Sequence, residues 1–173
     1  ALAGSAIEAG IGSDAVIAQS VAQARALWSL RELISEAQAL EGKNIKHDIS
    51  VPISSIARFI DETDALLSQR FPGVRMVTFG HLGDGNLHWN VFPPKGVAAV
   101  SLRPLAEKVK HAVRDLAQEL GGSVSAEHGI GRLKVDDLER YADPAKLKAM
   151  QAIKAALDPL GIMNPGAVLG RKE

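Results

Sequence analysis

The segment from Val74 to Phe92 constrains this chain more tightly than any other. Val74 to His81 reads as a strand, Gly83-Asp84-Gly85-Asn86 is turn chemistry, and Leu87 to Phe92 reads as a second strand ended by Pro93-Pro94. Two strands joined by so short a connection form a hairpin. Strand alternation puts Asn86, His88 and Asn90 on one face and Leu87, Trp89 and Val91 on the other. The apolar face belongs to a core, and the polar face does not.

The flanking segments extend the hairpin into a motif. Lys46 to Val51 is a short strand, and Pro52 opens a helix at its first turn, with Ile53, Ile56, Ile60 and Leu67 as its apolar stripe and Pro72-Gly73 as its end. Pro104 starts another helix, striped by Leu105, Val109, Ala112, Val113, Leu116 and Leu120 and closed by Gly121-Gly122. Ser123 to Glu127 follows as a brief strand. The order β-α-β-β-α-β is the ferredoxin-like split βαβ arrangement, so an α+β fold is expected. It predicts an antiparallel sheet with two helices on one face and the other face free to cover something.

Helices are added at both ends. Asp14 to Glu41 reads as one long helix, with Ile17, Val21, Ala24 and Trp28 at three- and four-residue steps and Gly42 as the stop. Continuing that stripe gives Arg31 and then Ser35. At the other end, a short helix around Leu133 to Tyr141 precedes one from Pro144 to Leu157, halted by Asp158-Pro159 and Gly161. A length of 173 residues suits one domain over residues 1–173.

Composition narrows the partners. Twenty basic and twenty acidic residues cancel, so no long-range field points to nucleic acid or an anionic membrane. The absence of cysteine excludes disulfides and thiolate metal sites, which fits a cytoplasmic location. No apolar run approaches the roughly 20 residues that span a bilayer. The start Ala-Leu-Ala-Gly-Ser lacks the features of a secretory signal.

The chemistry concentrates in two runs, Phe79-Gly80-His81-Leu82-Gly83-Asp84-Gly85-Asn86-Leu87-His88-Trp89-Asn90 and Ser125-Ala126-Glu127-His128-Gly129. The hairpin folds His81 back toward His88, and Glu127 ends a strand that can join the same sheet. Two imidazoles and a carboxylate suit zinc with an open fourth place, and equally manganese or ferrous iron. His128 can swing toward the same pocket at its strand end, where a neutral imidazole is a natural general base. Gly129-x-Gly131 lacks the third glycine and the preceding βαβ context of a dinucleotide fingerprint. Lys46-His47-Asp48 reads on its own as a solvated strand entrance.

Taken together, these motifs resemble the C-terminal domain of the FAD-linked oxidases of the vanillyl-alcohol oxidase superfamily. That group contains D-lactate dehydrogenases, the glycolate oxidase flavin subunit and D-2-hydroxyglutarate dehydrogenase. The resemblance covers essentially the whole chain, from Leu27-Trp28-Ser29-Leu30-Arg31-Glu32 through Lys46-His47-Asp48-Ile49-Ser50-Val51-Pro52 and both histidine runs. It ends at Leu157-Asp158-Pro159-Leu160-Gly161-Ile162-Met163-Asn164-Pro165-Gly166. Asn90 after His88-Trp89 is closer to the D-2-hydroxyglutarate dehydrogenase branch than to the glycolate oxidase subunit.

The resemblance implies His81, His88 and Glu127 as metal ligands and His128 as catalytic base. It implies Arg31, Ser35, Lys46 and Asn90 as substrate contacts, and Asn164 as a residue near the flavin. A D-2-hydroxy acid of the lactate, glycolate or 2-hydroxyglutarate type would chelate the ion through hydroxyl and carboxylate. His128 would take the hydroxyl proton while a hydride leaves for FAD, giving the 2-oxo acid. Two departures stand out: Ser35 occupies a position where threonine is usual in the D-2-hydroxyglutarate branch, and Ala167 one where lysine is frequent. The family's FAD-binding domain, which comes first in its members, is not in this sequence. The chain is therefore expected to be the substrate and metal half of a longer flavoprotein, partnered by its own FAD domain and by an unidentified electron acceptor. Oligomeric state is open, a homodimer included. Two other readings compete: a stand-alone binding or assembly module, and a metal-dependent hydrolase that activates water at the His₂Glu site.

Overall fold

A computed structural model describes residues 2–170. The chain divides into two compact units, one ending at Gly42 and the other beginning at Lys43.

The first unit is helical: α1 (Leu2–Glu8), α2 (Val21–Glu32) and α3 (Ile34–Leu40). The single helix expected from Asp14 to Glu41 is thus shorter and broken. Its start moves to Val21 because Ser20, in extended conformation, caps the helix by accepting the Gln23 amide at 3.2 Å. Its break falls at Leu33, where ψ is 1°. The stripe of Ile17, Val21 and Trp28 is exposed, with Ile17 outside any helix, so it forms no core within this unit.

The second unit holds the sheet. β1 (Ile45–Ser50), β2 (Arg75–His81) and β3 (Asn86–Phe92) lie in the order β1-β3-β2, both pairings antiparallel. With β3 inserted between β1 and β2, this is the split βαβ order, and the expected α+β class holds. One sheet face packs on α4 (Ile56–Arg70) and α5 (Ala106–Glu119). Ile45, Ile49, Leu87, Trp89 and Val91 meet Phe59, Leu67, Val109, Val113 and Ala117 there, and Phe59 sits edge-on to Trp89 with ring centroids 5.4 Å apart. The expected stripes of both helices supply this core, except that Ile53 is exposed in a 3-10 turn (Ile53–Ser55) ahead of α4.

The fourth strand is the main correction. Ser123 to Glu127 does not continue the ladder; only a Ser50–Ser123 bridge forms, with amide bonds of 3.0 and 2.8 Å. Two competitors draw the chain off the sheet. The Ser123 hydroxyl bonds Ser125 locally, and the amides of Ala126, Glu127 and His128 all turn to Asp48. α6 (Val135–Tyr141) and α7 (Pro144–Leu157) complete the unit close to their expected bounds.

Candidate metal centre

The second face of the sheet carries the site. Antiparallel register puts Asp48 of β1, His88 of β3 and Phe79 of β2 in one row. Ser50, Asn86 and His81 form the row on one side of it, and Lys46, Asn90 and Val77 the row on the other. This face is polar as expected but not bare, because Asp48, Asn86 and Asn90 are all buried.

The turn that brings the two histidines together depends on glycine. Gly85 has φ +73°, and a Cβ there would stand 2.0 Å from the Val51 carbonyl oxygen. The Val51 amide in turn donates to the Gly85 carbonyl at 3.1 Å, so the turn is sewn to the end of β1. Asp84 reinforces it by accepting the Asn86 amide at 3.1 Å.

Glu127 reaches both imidazoles from its loop. His81 Nε2 lies 3.4 Å from Glu127 Oε1, and His88 Nε2 lies 3.8 Å from Glu127 Oε2. One donor atom from each of the three lies within 4.8 Å of the other two, a spacing that a shared divalent cation can span. The donor set therefore fits a metal. His88 is the most enclosed of the three; its ring packs against Phe79, with centroids 5.0 Å apart. Burial lowers the His88 pKa, against the opposing pull of Glu127 and Asp48.

His128 stands beside this group, its ring stacked 6.2 Å from that of His88 and largely exposed. Its Nδ1 lies 3.4 Å from Asp48 Oδ2. The solvated strand entrance expected at Lys46-His47-Asp48 holds only for Lys46, since His47 and Asp48 are buried; two charged residues, Asp48 and Lys134, lie beneath the site. Both are close-packed here, with Lys134 Nζ 3.4 Å from Asp48 Oδ2, 3.0 Å from Ser125 Oγ and 3.3 Å from the Val124 carbonyl. Burial alone would raise the Asp48 pKa, but the amides of His128 and Glu127 and the Lys134 ammonium outweigh it and hold the carboxyl below its ordinary value. Burial depresses the Lys134 pKa, with Asp48 opposing.

The remaining expected residues fall in three places. Lys46, exposed, and Asn90, buried, pair across the ladder one row from Asp48 and His88. Asn164 is exposed in a left-handed conformation (φ 45°). Its loop is tied to the segment after His128 by Arg132 Nη1 donating to the Pro165 carbonyl and by the Val168 amide donating to the Gly131 carbonyl at 2.6 Å. Arg31 and Ser35 belong to the N-terminal unit, in the last turn of α2 and the first of α3.

Fold and site define an α+β domain with a His₂Glu donor set on the polar face of its sheet. The chain belongs to the family of FAD linked oxidases, C-terminal domain, whose model matches residues 1–168. It is 41% identical to a D-2-hydroxyglutarate dehydrogenase of Stutzerimonas stutzeri over 94% of this chain and 35% of the relative. It is 42% identical to one of Xanthomonas citri over 92% of this chain and 34% of the relative. The mitochondrial D-2-hydroxyglutarate dehydrogenase of Arabidopsis thaliana is 36% identical over 94% of this chain and 28% of its own length. The chain thus spans about a third of the length of these relatives. No helix among the described residues is long and apolar enough to cross a membrane.

Proposed function

We propose that this chain is the substrate- and metal-binding part of an FAD-dependent oxidoreductase that oxidises a D-2-hydroxy acid to the 2-oxo acid. The observation that carries this reading is the convergence of His81, His88 and Glu127 on one small volume beside His128. The names of the relatives favour 2-hydroxyglutarate over lactate or glycolate as the acid.

His81, His88 and Glu127 would hold a divalent ion, zinc, manganese or iron, which would supply Lewis acidity that lowers the pKa of a substrate hydroxyl. FAD would supply the hydride acceptor. His128 takes the hydroxyl proton as the C2 hydride departs, so proton and hydride both leave and the carbonyl forms. Lys46 places an ammonium for a carboxylate on the same sheet face, and the Asn90 amide adds a polar contact beside it. Arg31, with its bidentate guanidinium, and Ser35 are further substrate contacts on the strength of the sequence resemblance, and Asn164 is assigned to the flavin on the same ground.

The test is metal content and turnover in the full-length protein. One divalent ion per chain is expected, with turnover of D-2-hydroxyglutarate. His128→Ala should lower kcat at least about 100-fold with little change in KM, and Lys46→Met should chiefly raise KM. A protein that binds no divalent ion, or a His128→Ala variant with unchanged kcat, would overturn the reading.

A further inference from the structure

Glu127 and His128 lie in a loop, and their side chains are 45% and 67% exposed. Both are far more exposed than His88, whose side chain is 17% exposed. Their backbone amides are both bound by one residue beneath them. Asp48 is 5% exposed and sits in the middle of β1. Its carbonyl accepts the Ala126 amide at 3.3 Å. Its carboxylate accepts the Glu127 amide at 3.2 Å from either oxygen and the His128 amide at 3.0 Å from Oδ2. Three successive amides thus converge on a single strand residue. Oδ2 also lies 3.4 Å from His128 Nδ1.

A carboxylate this deep needs compensation, because an unpaired buried charge is expensive. Lys134, at the start of α6, provides it and also binds the loop through Val124 and Ser125. Asp48, Glu127 and His128 also offer donor atoms within 4.8 Å of one another. The Asp48 oxygens, however, face two amides and an ammonium, which leaves them poorly disposed toward a cation.

We infer that Asp48 is a positioning residue: its buried carboxylate, compensated by Lys134, sets where Glu127 and His128 stand relative to the histidines of the hairpin. This rests on the reading of Glu127 as a ligand and His128 as a base, and it adds a residue that touches neither ion nor substrate. It also explains how a loop outside the regular ladder can carry two residues that must be held closely in place.

The experiment is a double-mutant cycle on metal affinity in the full-length protein, read by competition with a chromophoric chelator. Asp48→Asn keeps the shape and one acceptor oxygen but loses the other and the charge. It should weaken metal binding by about 10- to 100-fold, the range for loss of an outer-shell partner. Combined with Glu127→Gln it should weaken binding little beyond Glu127→Gln alone, because both changes act through one ligand. Additive losses would overturn the inference, as would wild-type affinity in Asp48→Asn. So would a second bound ion that Asp48→Asn removes, since that would make Asp48 a ligand. A wild-type protein that binds no ion would sink the underlying functional reading instead. Hydrogen exchange of the wild-type protein covers the case in which Asp48→Asn does not fold. The amides of Ala126, Glu127 and His128 should exchange as slowly as those of β1, and rapid exchange there would overturn the inference.

Discussion

Asp48 and His88 face each other as a cross-strand pair on the β1–β3 ladder. The row continues to Phe79, whose ring closes on His88 from the other side. His88 is therefore held on both flanks, and its side chain is 17% exposed against 52% for His81. A ligand held in place before the ion arrives contributes more than one that must be ordered on binding. His88→Ala should weaken metal affinity at least about 100-fold, beyond the range for outer-shell losses, and His81→Ala should cost less. Chelator competition on the two variants checks the order, and equal losses would show that burial does not rank these ligands.

His47 lies on the opposite face of β1, and the pH dependence of stability should report it. Its Nδ1 donates to the Trp89 carbonyl at 2.7 Å, while Nε2 is buried with no hydrogen-bond partner. Burial lowers its pKa from 6.5 to about 4, helped by the charges of Arg114, Lys110 and Lys134 and opposed by the Trp89 bond. The unfolded chain takes up a proton below pH 6.5 that the folded chain refuses until about pH 4. This contribution to stability is thus fully present above pH 6.5 and lost as pH falls toward 4, by about 3 kcal/mol in all. His47→Gln keeps a donor for Trp89 and removes the titration. Its denaturant midpoint should fall less steeply than the wild type between pH 6.5 and 4. Parallel curves would contradict the assignment.

Much of this fold was legible because the signals were local. The turn glycines, the alternation along β3 and the stripe of Val109, Ala112 and Val113 each imply one structure with no long-range information. The approach of His81 to His88 followed from the hairpin, whereas Glu127 reaches them from a loop and not from the strand end expected of it. The fourth strand failed because strand propensity in Ser123 to Glu127 lost to Asp48, a hydrogen-bond acceptor far away in sequence that no local pattern reveals. Asp48 and Lys134 were missed for the same reason: a charged residue on a polar strand face looks solvated until a loop covers it. The break at Leu33 also escaped, since neither glycine nor proline marks it.

Arg114 and Asp137 form an ion pair of 2.7 Å between α5 and α6, both side chains 8% exposed. A buried pair resists the loss of one partner far more than the loss of both. Asp137→Ala should strand the guanidinium and destabilise the protein by roughly 3 kcal/mol. Adding Arg114→Met should recover at least half of that loss. Denaturant unfolding of the two variants checks this, and a double variant no better than the single would mean that the pair's charges are not the source of the cost. Because α6 begins next to Lys134, Asp137→Ala should also loosen the Ser125–Gly129 loop, visible as faster amide exchange there.

Gly83 and Gly85 occupy one turn and should respond oppositely to substitution. A Cβ on Gly83 meets nothing within 4 Å, whereas one on Gly85 meets the Val51 carbonyl at 2.0 Å and is held at φ +73°. Gly83→Ala should therefore stay within about 0.5 kcal/mol of the wild type. Gly85→Ala carries the left-handed penalty and a backbone clash together, for a loss of roughly 2–4 kcal/mol. Relief of the clash requires the turn to pull away from the end of β1, which carries His81 and His88 with it relative to Glu127. Metal affinity should fall in Gly85→Ala and not in Gly83→Ala. Thermal unfolding and chelator competition on the pair separate these outcomes, and equal behaviour of the two variants would mean that the approach of the turn to Val51 does not set the geometry of the site.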